Sequence, residues 1–278
     1  MTTSAASPSP WTQLADGVFV RRYAFFDQGI GLVLGDGAAL VIDTRTTPGH
    51  ARELRDEIRA LTALPVAVVV DTHAHSDHCF GNATFDPVTI WGQRGAVRFL
   101  AETGERQRAA LAEAIPDIAD DLAGVVLRPP DRLVDVTGSL EVGGRRIELL
   151  HPGRAHTDHD LVVAVPDAGV VFAGDIIEEG APPSFGDGFP LAWPATLDAF
   201  LAARPEAIVV PGHGAVVDRA FVAGQRDAIA AAAEVARRIV AGELPESAIA
   251  DGTPFSAAVA GVVLDRVRLE LAGGGRTA

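Results

Sequence analysis

The chain has 278 residues, 48% of them hydrophobic, with 37 acidic and 23 basic residues and a formal net charge of −14 at pH 7. That length and composition suit a globular chain with a sizeable core and exclude a disordered one. The acidic balance excludes nucleic acid as a partner, because phosphate binding needs a basic surface.

Residues 1–10, small, polar and proline-bearing, read as a disordered leader, and 11–278 as a single domain. The leader lacks the basic and apolar regions of a secretory signal, and no apolar stretch reaches roughly 18 residues, so the expectation is a cytoplasmic protein with no membrane partner. Two strand-like runs follow, Val18–Phe26 and Ile30–Ile42, broken by turns at Asp27-Gln28-Gly29 and Gly35-Asp36-Gly37. Thr47 as N-cap and Pro48 at the first position predict a helix whose Ala51, Leu54, Ile58 and Leu61 keep helical spacing. Pro65 ends it, and the continuous apolar run Val66–Val70 suits a strand buried on both faces. Val88–Trp91 predicts a short strand and Arg94–Ile115 one or two amphipathic helices.

The second half repeats this order. Leu140–Val142 and Arg146–Leu150 flank Gly143-Gly144, a hairpin signal. A second strand pair, Leu161–Val165 and Val170–Phe172, precedes a helix at 195–203 and an apolar strand at 207–210. Two helices, roughly 218–241 and 254–271, close the chain. Each half thus carries a strand running into an aspartate (Asp43, Asp175), a helix, and an apolar strand running into a histidine (His73, His213). Polar residues just past buried strand ends are where open α/β sheets place their sites.

Three of the eight histidines fall in His73-Ala74-His75-Ser76-Asp77-His78. In extended chain, residues i and i+2 point the same way, so His73 and His75 can grip one cation. Asp77 and His78 lie where the chain turns toward a helix and can serve a second. Imidazole with carboxylate suits zinc, with iron or manganese as alternatives. Cys79, the single cysteine, permits neither an internal disulfide nor a thiolate zinc cluster, and reads as buried packing.

This HxHxDH sequence after an apolar strand resembles the metallo-β-lactamase superfamily. His156 in Gly-Arg-Ala-His-Thr, Asp175 in Ala-Gly-Asp, His213 in Pro-Gly-His-Gly and the VIDT around Asp43 follow in the family's order, from about Val18 to Val217. The resemblance implies an α/β fold, an αββα sandwich of two similar halves, here with two additional C-terminal helices. It implies two metal ions, zinc first with iron or manganese as alternatives: His73, His75 and His156 for the first, Asp77, His78 and His213 for the second, and Asp175 between them. It further implies a hydrolase in which a metal-bridging hydroxide attacks the carbonyl of a small ester, thioester or lactone. Asp77 would act catalytically, orienting the nucleophile or passing a proton to the leaving group.

Departures within the family narrow this. Histidine rather than glutamate at 75 disfavours the flavodiiron reductase pattern, and true β-lactamases of this fold usually lack the bridging aspartate. All 23 basic residues are arginine, so no lysine can clamp a substrate carboxylate. Hydroxyacylglutathione hydrolases match the seven ligands, and lactonases share them. Two rivals remain: an oxidoreductase resembling the mononuclear-iron persulfide dioxygenases, and a metal-bearing binding module without turnover. Asp43 reads as ordering the loops beneath the site, His151 and His159 as surface or supporting residues, and His50 as solvated. The Gly/Pro-rich stretch 178–194 reads either as a packed loop or as a pocket rim whose Phe185, Phe189 and Trp193 form an apolar wall. The Ala-rich final helices read as packing elements or a homodimer surface.

Overall fold

The computed structural model describes residues 10–203 and 208–273. The expected leader lies outside them except for Pro10, as does residue 207 of the expected late strand. In chain order the strands are β1 (Thr12–Ala15), β2 (Val18–Tyr23), β3 (Gln28–Leu34), β4 (Ala39–Ile42), β5 (Val66–Val70), β6 (Thr89–Gln93), β7 (Arg132–Val134), β8 (Thr137–Val142), β9 (Arg145–Leu150), β10 (Val162–Val165), β11 (Val170–Glu178) and β12 (Ile208–His213). The helices are α1 (Pro48–Leu61), α2 (Ser76–Cys79), α3 (Arg94–Ala114), α4 (Ala119–Ala123), α5 (Trp193–Ala203), α6 (Arg219–Val240), α7 (Ala248–Asp251) and α8 (Ala257–Leu271).

The strands join in the order β7-β6-β5-β4-β3-β12-β11-β10-β9-β8, with β2 and then β1 also attached to β3. The two halves meet at a single paired position, His213 opposite Gln28. Strands β4 through β7 run parallel, as do β11 and β12. Because β12 and β4 both lie antiparallel to β3, the C-terminal ends of β4, β5, β11 and β12 share one edge.

Alternation along each strand explains the layers. Val33, Leu40, Ile42 and Val70 of the first half pack against Val163, Val165, Val170 and Phe172 of the second, forming an inner core between two sheet faces. The residues between them point outward: Ile30, Leu32, Val41 and Val69 meet Ala51, Leu54 and Ile58 of α1. On the far side Val162, Ala164, Val171 and Val209 meet Leu197 and Phe200 of α5, Ile229 and Ala232 of α6 and Val263 of α8. The result is the αββα order of layers.

Local chemistry sets the helix starts. Thr47 Oγ1 accepts from the amide of His50 at 3.1 Å with Pro48 beginning α1, and Asp218 caps α6 by accepting from Phe221 at 2.9 Å. The run 30–42 parts into two strands at the expected turn Gly35-Asp36-Gly37, while the strand expected at 170–172 differs in extent and runs on to Glu178. Arg94–Ala114 is one unbroken helix, whose Ala96, Phe99 and Leu100 cover Ala74, Cys79 and Phe80 in the histidine-bearing segment.

Candidate metal centre

Seven side chains arrive at the shared edge from five places. The segment after β5 carries His73; His75 is the residue before α2, and Asp77 and His78 belong to α2. His156 comes from the loop between β9 and β10, Asp175 from within β11, and His213 from the end of β12. Asp175 depends on two glycines. Gly174 has φ +57°, and the pairing of β11 with β12 shifts register on both sides of it, a bulge that re-aims the next side chain. A Cβ on Gly212 would overlap Asp175 Oδ1, so that position must stay bare for the carboxylate to sit there.

The donor atoms form two sets, His73, His75, His156 and Asp175 in one and Asp77, His78 and His213 in the other, each within 4.8 Å of one another. Asp175 Oδ2 lies 3.7 Å from His73 Nε2, 3.5 Å from His156 Nε2 and 3.2 Å from His213 Nε2. Its Oδ1 lies 3.3 Å from His78 Nε2. Asp77 Oδ2 faces His213 Nε2 at 3.3 Å and His78 Nε2 at 3.5 Å. With metal–nitrogen bonds of about 2.0–2.1 Å, tetrahedral ligand atoms stand about 3.3 Å apart, which is the spacing found. His73 Nε2 and Asp175 Oδ1 are buried with no hydrogen-bond partner, a costly arrangement that a coordinated cation would relieve.

Every one of the five histidines turns one ring nitrogen inward while the other is held. His78 Nδ1 is 2.8 Å from Asp43 Oδ2, and His73 Nδ1 is 3.1 Å from Thr72 Oγ1, which itself donates to Asp43. His156 Nδ1 reaches the carbonyl of Ser184 at 3.0 Å and His213 Nδ1 that of Phe26 at 2.7 Å. His75 contributes Nδ1, 2.8 Å from His156 Nε2, and its Nε2 meets Asp187 at 2.9 Å. Such outer partners fix tautomer and ring direction in metal sites.

The electrostatics suit a cation. Burial drives the pKa of His156 down to about 3 and that of His73 well below the ordinary imidazole range, so both are neutral donors. Burial opposes charging His213 as well, yet Asp175 and Asp77 hold its pKa up at about 11. The same carboxylates, with Asp43, raise His78. Burial opposes ionisation of Asp77 and Asp175 too, but the histidine charges outweigh it and keep both ionised. A buried concentration of carboxylate charge is what a divalent ion neutralises.

A cavity of about 440 Å³ opens over His75, Asp77, His156, Asp175 and His213. Its remaining wall is Phe26 and Asp27 from the β2–β3 hairpin and Glu178, Glu179, Gly180, Ala181 and Ser184. The stretch 178–194 therefore contributes to the rim, but through its first residues. Phe185, Phe189 and Trp193 follow the other of the two readings, a packed loop: they are 3% exposed or less and form no apolar wall to the cavity. His159 is buried rather than on the surface, and its Nε2 accepts from the amide of Ala74 between two of the converging histidines. His50 is not simply solvated; its ring packs 4.7 Å from that of Phe25, and burial lowers its pKa.

Sequence reasoning missed Asp187, Glu178 and Phe26. Glu178 is buried, accepts from the Ser184 amide at 2.7 Å, and has its pKa pushed up to about 8 by burial and by Asp175. Asp187 has a weak signal, a lone carboxylate between Gly186 and Gly188. Phe26 has none, since it serves through its backbone carbonyl and its position at a hairpin tip.

Relatives place this geometry in a family. A metallo-beta-lactamase type 2 from Bacillus sp. (strain 170) is 26% identical over 198 residues, 69% of each chain. A linear primary-alkylsulfatase from Pseudomonas sp. (strain ATCC 19151) is 22% identical over 209 residues, 63% of this chain and 39% of that protein. Among solved structures, a metallo-beta-lactamase from Pontibacter korlensis superposes with a TM-score of 0.64 at 21% identity, covering 79% of this chain and 97% of its own. A stereoselective inverting sec-alkylsulfatase from Pseudomonas sp. gives 0.75 at 17%, covering 94% of this chain and 50% of its own. The sequence pattern of the metallo-beta-lactamase superfamily matches residues 26–213, and the chain belongs to that superfamily.

Proposed function

We propose that the protein is a metal-dependent hydrolase of a small ester, thioester or lactone. His73, His75 and His156 would hold one divalent ion, Asp77, His78 and His213 a second, and Asp175 both. The observation that carries this reading is the carboxylate of Asp175, which turns one oxygen to His73, His156 and His213 and the other to His78. Zinc suits the nitrogen and oxygen donors, and iron and manganese accept the same set. When bound, such ions supply a water of pKa about 7 and polarise a carbonyl oxygen.

The chain's own groups do the rest. Asp43, Thr72, Asp187 and the carbonyls of Ser184 and Phe26 hold the imidazoles in place, so the donors need little reorganisation. Asp77 lines the cavity, where its carboxylate would orient a water by accepting a hydrogen bond from it and pass a proton to the leaving oxygen or sulfur.

Purified protein should retain close to two equivalents of transition metal and cleave members of an ester, thioester, lactone, β-lactam and sulfate-ester panel, with carbonyl substrates preferred. Absence of tightly bound metal together with no turnover after zinc addition would sink the proposal. One tightly bound iron with oxygen uptake on a glutathione persulfide would replace it with the oxidoreductase reading.

A further inference from the structure

Beyond the converging ligands, the cavity wall is acidic. Asp27 and Glu179 line it as carboxylates, Glu178 lines it buried and with its pKa pushed up, and among the described residues no arginine lines it. The sequence contains no lysine at all. The neighbouring guanidiniums are already committed. Arg22 donates from Nη2 to Asp27 Oδ2 at 2.6 Å and pairs with the other oxygen through Nε. Arg266 is buried and donates to the carbonyls of Gly188 and Asp187 at 2.8 and 3.0 Å. Arg154 stacks over Phe189. Glu179, by contrast, is fixed at the rim with its carboxylate accepting from the amide of Ala215 at 2.7 Å.

A substrate whose carbonyl enters this site must lay the rest of its length along Phe26, Asp27, Glu179 and Ala181. A carboxylate, phosphate or sulfonate there would meet Glu179, while Arg22, the guanidinium near it, is already held by Asp27, and the −14 net charge opposes its approach from a distance. A neutral chain meets Phe26, whose ring is 38% exposed, and a cationic one meets Glu179 favourably. We infer that the site selects substrates whose portion beyond the scissile bond is neutral or cationic and discriminates against those carrying a second anionic group. This rests on the hydrolase reading and narrows it: thioesters whose thiol half bears carboxylates, and lactams bearing a carboxylate, are disfavoured.

Two measurements test it. In the first, cobalt-loaded protein is titrated with 3-mercaptopropan-1-ol, 3-mercaptopropionate and 3-aminopropanethiol, following the cobalt absorption and comparing affinities per thiolate. At low salt the anionic thiol should bind about fivefold more weakly than the neutral one, the size Coulomb's law gives for one charge across such a cavity. The gap should shrink at 1 M salt, and Glu179→Gln or Asp27→Asn, the latter freeing Arg22, should narrow it about twofold or more. In the second, kcat/KM is compared for p-nitrophenyl esters of butanoic acid, its 4-trimethylammonio derivative and glutaric acid. The glutarate monoester should be the slowest. An anionic thiol binding as tightly as the neutral one, or a glutarate ester cleaved as fast as the butanoate, overturns the inference. Selective thiol binding with no ester cleaved upholds it while removing the hydrolase reading.

Discussion

The two halves of the sandwich supply the centre in different ways. The first half gives four donors from six consecutive residues, His73 to His78, in a segment that leaves β5 and turns into α2. The second gives three, His156, Asp175 and His213, spread over 58 residues and set by a loop, a bulge and a strand end. Neighbouring donors are positioned largely by one stretch of backbone, which α3 covers and Asp43 anchors from below. Distant donors are positioned only once β11 and β12 are paired and β12 has met β3. The first half therefore presents a set of candidate ligands, and the second decides whether they face one shared site.

The largest effect should come from the residue whose two oxygens face both sets. Asp175→Ala is expected to lower kcat/KM on the order of 10³-fold or more and to reduce bound metal, measured by elemental analysis beside steady-state kinetics. Wild-type metal content with intact turnover in this variant would mean that the halves do not share a bridging group. Next, Gly212→Ala puts a methyl where Asp175 Oδ1 lies, and displacing that carboxylate should cost about 10²-fold in activity while circular dichroism stays unchanged.

Smaller losses should come from groups that aim the histidines of the first half. Asp43 has φ +65°, a conformation asparagine also tolerates, so Asp43→Asn keeps the turn while changing the partner of His78. Competition with a chelating dye should report metal affinity lowered about 10- to 100-fold. Asp187→Asn, acting on the half-buried His75, should fall at or below the lower end of that range, about 10-fold. A reversed order, with Asp187 mattering more than Asp43, would show that α2 does not rest on the aspartate beneath it.

The same contrast explains what the sequence made legible. His73, His75, Asp77 and His78 are readable because their chemistry lies within one short segment, and α1 because cap, proline and apolar spacing agree. Asp175 could be named from its order in the chain, but not the bulge at Gly174 that aims it, since a bulge arises from pairing with a strand 30 or more residues away. Phe185, Phe189 and Trp193 left two readings open, a wall or a packed loop, because aromatics in such a stretch carry no sign of direction; the fold buries all three. Glu178 and the Phe26 carbonyl were invisible for the same reason, and Asp187 showed only as a carboxylate between two glycines, all three being defined by what stands opposite them in space.

The central claim is that both halves hold one two-metal centre through Asp175. A crystal structure of the zinc-loaded protein, with anomalous data collected on both sides of the zinc edge, tests it most directly. Two zinc peaks are expected, one contacted by His73, His75 and His156, the other by Asp77, His78 and His213, with Asp175 touching both. A single peak, or two peaks with Asp175 turned away from either, would contradict it.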